Sequence, residues 1–77
     1  MKVSKATRAE AIECLLTCAA ARQAGEEMFI GDACDSRGDV FDLVNTAWVV
    51  ARGDDEASPT AHDYHAAASL LDAGWSP

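Results

Sequence analysis

The apolar positions along the chain recur with helical period in three places, and the strongest of them is Val40 to Ala51. Stepped at about 100° per residue, Val40, Phe41, Leu43, Val44, Ala47, Trp48, Val50 and Ala51 fill half of a helix circumference. Asp42, Asn45, Thr46 and Arg52 share the other half with one apolar residue, Val49. An apolar half-circle is wider than one neighbour covers, so this helix, predicted over about 39–52, is expected at the centre and touched on two sides. Asp39 is placed to cap its start and Gly53 to end it.

An earlier helix follows Thr7-Arg8-Ala9-Glu10, which fits a capping box, with Ser4 as a competing cap one turn before. It puts Ile12, Leu15, Leu16 and Ala19 on one stripe and stops at Gly25. The last helix has Ser58-Pro59 as its start signal, with serine at the cap and proline at the first helical position. It presents Ala61, Tyr64, Ala67, Ala68 and Leu71 on one face and ends at Gly74, after which Trp75 is expected to fold back over the bundle end. Between the first two helices, Met28-Phe29-Ile30 is apolar enough to pin residues 26–38 to the core as a short anchored connector or one helical turn. Asp32, Asp35, Ser36 and Gly38 are turn residues there, and a short strand would need another chain to pair with. The pattern predicts an all-α fold, one helical domain over 1–77, with three helices whose short connections make neighbours antiparallel.

Composition sharpens this picture. With 49% apolar and 25% charged residues the chain reads as globular rather than as a disordered tail. A chain of 77 residues buries only about 60% of its unfolded surface, so the core is thin and self-association is a natural source of added stability. Many of its apolar residues are alanines, which favour closely packed helices.

The net charge of −7 is uneven. Lys2, Lys5, Arg8 and Arg22 stand against Glu10 and Glu13 up to residue 25, a balance of +2; beyond it Arg37 and Arg52 stand against eleven carboxylates, a balance of −9. Such a field repels nucleic acid and anionic membrane and attracts basic surfaces. No window of about 18 apolar residues exists to span a membrane. Three cysteines, an odd number, argue against a secreted disulfide framework, and Glu10 and Glu13 interrupt the only stretch resembling an export signal. A cytoplasmic location is the expectation.

Candidate chemistry is sparse. Cys14 and Cys18 on the first helix, with His62 and His65 on the last, have the ligand mix of a tetrahedral zinc site. The wheel sets them apart, however: both cysteines flank the core stripe, where they are expected as buried or half-buried reduced thiols, while both histidines face away from Tyr64 and Leu71. Cys34 is the thiol expected to be reactive. His62, His65, Ser69 and Asp72 form a polar stripe with no nucleophile and base in catalytic reach, which suits a partner-contact face better than an active site. Arg-Gly-Asp occurs at Arg37-Gly38-Asp39 and at Arg52-Gly53-Asp54, in both cases at a helix boundary where glycine and a capping aspartate are wanted. No phosphate loop, metalloprotease motif or calcium loop is present. The sequence therefore predicts no enzyme, no cofactor and no metal.

What remains is surface. Glu26, Glu27, Asp32, Asp35 and Asp42 (with Asp39) form one acidic set, and Asp54, Asp55 and Glu56 a second. With His62 and His65 these are the expected partner-binding residues, imitating phosphates toward a basic protein surface. The closing run Ala66-Ala67-Ala68-Ser69-Leu70-Leu71-Asp72-Ala73-Gly74-Trp75-Ser76-Pro77, with the alanine-rich acidic helices, resembles small open reading frames of tailed phages and prophages in GC-rich bacteria. The likeness covers these dozen residues. It implies an accessory phage product acting on a host protein and carries over no functional residue. The sequence thus points to a non-enzymatic acidic interaction protein, with a self-associating homodimeric module as the alternative. If the central wheel is right and the indole fully buried, Trp48→Ala lowers unfolding free energy by about 3 to 5 kcal/mol while Val49→Ser stays near neutral. Chemical denaturation that finds equal losses for the two would reverse the faces.

Overall fold

Helix α1 (Lys5–Gln23) begins one turn earlier than the Thr7 capping box would put it. Ser4 is the cap: its Oγ accepts from the Thr7 backbone N–H at 3.1 Å and donates to Thr7 Oγ1 at 2.9 Å. Thr7 is itself buried and uses its hydroxyl for tertiary structure, donating to Asp39 Oδ2 at 3.1 Å. The structure, a computed structural model, describes residues 3–26, 28, 33, 38–53 and 60–77. Among them are two further helices, α2 (Gly38–Arg52) and α3 (Ala61–Asp72), and no strand. The protein is a small all-α three-helix bundle.

The start of α3 also differs in its cap. Thr60, not Ser58, caps it, in a capping box where Asp63 N–H donates to Thr60 Oγ1 at 3.3 Å and Thr60 N–H donates to Asp63 Oδ2 at 2.9 Å. Both α1 and α3 end as their glycines predict. Gly25 and Gly74 take left-handed φ of 78° and 97°, and the next amides reach back over each glycine, Glu26 N–H to the Ala21 carbonyl and Trp75 N–H to the Leu70 carbonyl. That turn folds Trp75 onto the core, where it packs half-buried.

Contacts at the helix ends fix the topology. Thr7 in the first turn of α1 meets Asp39 in the first turn of α2, so these two helices start at the same end and run parallel. Arg8 Nη1 donates to the Leu71 carbonyl at 2.8 Å and the Trp75 carbonyl at 2.7 Å, which brings the last turn of α3 to that end and makes α3 antiparallel to both. The antiparallel expectation therefore holds for α2–α3 and fails for α1–α2. Its premise was a short connection, and the chain between Gln23 and Gly38 is long enough to return along the bundle. Within that stretch Met28 is half-buried, and Ala33 is helical and packs on the core; the other connector residues lie outside the described set.

Each helix touches both others, with α1–α3 the largest interface and α1–α2 the smallest. One leucine from each helix is fully buried (Leu15, Leu43, Leu71), joined by Val40, Val44 and Cys18. Ala11, Ala19, Ala47 and Ala67 are also sealed from solvent and let the helices approach closely. Helix α2 buries a narrower arc than its apolar half-circle: Val40, Leu43, Val44 and Ala47 are inside and Trp48 and Ala51 half-buried, while Phe41 and Val50, both expected inward, are exposed. They sit at the two edges of the apolar arc, beyond the reach of slim alanine-lined neighbours. Val49 is exposed, as its position on the wheel predicts. Cys14 and Cys18 lie in the core rather than beside it, and Leu16, placed by the sequence on the core stripe, is exposed instead.

This burial sets a graded mutational response. Leu43→Ala empties a sealed site and is expected to cost about 2 to 5 kcal/mol, whereas Val50→Ala on the same helix stays within about 0.5 kcal/mol. Trp48→Ala, at a half-buried position, falls between them. Urea denaturation of the three variants gives the order, and a Val50→Ala loss as large as that of Leu43→Ala contradicts the burial.

Candidate functional site

On the outer edge of the α1–α3 interface lies an open groove of about 310 Å³, lined by Ile12 and Leu16 of α1 and by His65, Ala68, Ser69 and Asp72 of α3. Its origin is local. Ile12 and Leu16 are four residues apart and share one side of α1, just past the arc that Leu15 and Ala19 bury. His65, Ala68, Ser69 and Asp72 follow helical spacing on α3, and Ala68 is too short to fill the space between the helices. The result has an aliphatic wall, an alanine floor and a polar wall of imidazole, hydroxyl and carboxylate. Leu16 is 44% exposed, a large apolar surface for a residue lining a concave site.

The sequence singled out His62, His65, Ser69 and Asp72 as one polar stripe. The structure puts the last three in the groove; His62 is exposed and does not line it. The apolar wall was missed, because Ile12 and Leu16 read as core positions. Their rotation from Leu15, about 100° for Leu16, was the available sign. Of the predicted acidic partner-binding residues, the described ones, Glu26 and Asp42, do not meet. Glu26 follows the end of α1 and Asp42 sits one turn into α2; with Thr7 beside Asp39, the parallel topology sets them toward opposite ends of the bundle, on the order of 20 Å apart along the helix axis. Both are exposed. Glu27, Asp32, Asp35, Asp54, Asp55, Glu56 and Cys34 lie outside the described residues.

At the end where α1 and α2 finish, aromatic and cationic groups stack. The Trp48 and Tyr64 rings are 6.4 Å apart between centroids and 24° from parallel, and the Arg52 guanidinium lies 4.3 Å from the Trp48 ring centre. Arg22 of α1 and Arg52 of α2 each sit in a last helical turn, where a cation meets the negative helix end favourably. Trp48 Nε1 and Arg22 Nε are covered and have no hydrogen-bond partner among the described residues.

Cysteine chemistry departs from expectation. Cys18 is a buried free thiol, but Cys14, expected reduced, is disulfide-bonded. The pair lies in the core while His62 and His65 face solvent, so the four do not converge, and no group of three or more metal-ligating side chains occurs among the described residues. Burial pushes the Cys18 thiol up. It also raises the Tyr64 phenol, with Cys18 and Asp63 adding to the rise and Arg22, which donates a hydrogen bond to the phenol, working against it.

These features define a small helical bundle with a mixed apolar and polar groove between α1 and α3. No protein family, no curated protein and no solved structure matches the chain.

Cys18 and Tyr64 both hold their protons more tightly folded than unfolded. Their contribution is therefore complete below the ordinary thiol range and is lost as pH rises through and beyond about 8.5 to 10. Thermal melts from pH 7 to 11 are expected to show an alkaline decline that is shallower in the Cys18→Ala, Tyr64→Phe double variant. An identical decline in both proteins contradicts the assignment.

Proposed function

We propose that this chain is a non-enzymatic interaction protein, a phage-encoded modulator that docks on a basic surface of a host protein. The observation that carries the reading is the groove, in which exposed Leu16 and half-buried Ile12 face Asp72 on a chain of net charge −7. Apolar surface left open beside a carboxylate suits a partner that is both greasy and cationic. The exposed Glu26 and Asp42 extend an attractive field toward such a partner from both ends of the bundle. Among the described residues no helix is long and apolar enough to cross a membrane. The acidic surface disfavours direct nucleic-acid binding. The Cys14 disulfide weighs toward an oxidising compartment, and melting with and without reductant measures how much the fold depends on it.

The homodimer alternative draws on Phe41, Val49 and Val50, which are exposed on α2. Sedimentation over a hundredfold concentration range separates the readings. The modulator is expected to remain monomeric and to bind a cationic partner with affinity falling steeply between low and moderate salt. A tight dimer, or partner capture indifferent to salt, overturns the proposal.

A further inference from the structure

The groove's shape narrows the partner further. Three recurring modes of segment recognition are available to a small domain: strand addition at a sheet edge, polyproline docking on aromatic rings, and a helix laid in an apolar groove. No strand edge exists among the described residues, and no aromatic side chain lines the groove. Its walls instead have helical spacing. Ile12 and Leu16 stand about 6 Å apart along α1, and His65 to Asp72 spans about 10 Å of α3, the length covered by apolar anchors at i, i+4 and i+7 of an incoming helix. A volume of about 310 Å³ takes one or two aliphatic side chains. Charge chooses the flanks. Asp72 lines the groove and Glu13 is exposed between Ile12 and Leu16 in sequence; of the two cations in the first turn of α1, Arg8 is bonded to the Leu71 and Trp75 carbonyls and Lys5 is exposed.

We infer that the α1–α3 groove receives a basic amphipathic helix of a partner protein, with its leucine-like anchors between Ile12 and Leu16 and a lysine or arginine directed at Asp72. This rests on the interaction reading above and specifies its partner.

The test uses the full chain and a fluorescein-labelled 14-residue helix-forming peptide with leucines at i, i+4 and i+7 among lysines, against an isomer of scrambled order. Fluorescence anisotropy at low salt is expected to give at least about tenfold tighter binding of the patterned peptide, lost on Leu16→Gln and on Ser69→Trp, which fills the groove. Asp72→Asn is expected to weaken binding more than Glu26→Gln, an equal charge change at the far end of the bundle, which shifts it less than about twofold. Circular dichroism keeps the comparison to folded protein. Equal binding of the two peptides, or patterned binding untouched by Leu16→Gln and Ser69→Trp, overturns the groove assignment while leaving the general charge-driven reading. Failure of both peptides to bind at low salt overturns both. A concentration-dependent dimer that is broken by Leu16→Gln shows a second copy in the groove and also overturns the assignment.

Discussion

The fold depends on the mutual burial of one leucine from each helix, Leu15, Leu43 and Leu71, inside a collar of alanines. No one helix of this chain has enough large apolar surface to stand alone, since helices of this length are marginal in water without packing. Alanine contributes little burial energy, but it brings the three backbones close enough for those leucines to share a single sealed centre. The same closeness has a cost at the margins. Large side chains that fall just outside the sealed arc, namely Leu16, Phe41 and Val50, find no neighbour tall enough to cover them. The exposed apolar surface and the groove are thus by-products of a core built from small residues.

Polar contacts add direction to this packing. Leucines and alanines alone would tolerate either hand of connection between α1 and α2. The Thr7–Asp39 bond and the two carbonyls held by Arg8 gather the starts of α1 and α2 and the end of α3 at one pole. At the other pole the Trp48–Tyr64 stack and the Arg52 guanidinium join α2 to α3. Among the described residues, the exposed carboxylates of Glu26 and Asp42 lie toward opposite poles, where they add to a field that attracts cations at long range. A groove with aliphatic and carboxylate walls then supplies what a diffuse field lacks, a place where a partner's shape matters.

Much of this was legible in the sequence. Three helical periods, the glycines ending α1, α2 and α3, the inward face of α3 and the return of Trp75 all followed from spacing and capping rules. The failures share a cause. Thr7 fits a local capping box, yet a tertiary bond to Asp39 claims its hydroxyl, and Ser4 takes the cap. Leu16, Phe41 and Val50 are apolar by composition, but burial depends on how far neighbouring helices reach. Parallel packing of α1 and α2 depends on a return by the connector, for which 26–38 carries no periodic signal. The disulfide at Cys14 is likewise a long-range fact that helical spacing does not encode. The polar half of the groove was visible as the His65, Ser69 and Asp72 stripe; its apolar half was hidden among core positions.

Methyl NOE spectroscopy on leucine-, valine- and alanine-labelled protein tests the central claim most directly. The account predicts one connected network joining the methyls of Leu15, Leu43 and Leu71 through Val44 and Ala47, with Leu16 outside it and near Ala68. A network that includes Leu16 and omits Leu43, or separate clusters for the three helices, would contradict both the core and the groove it creates.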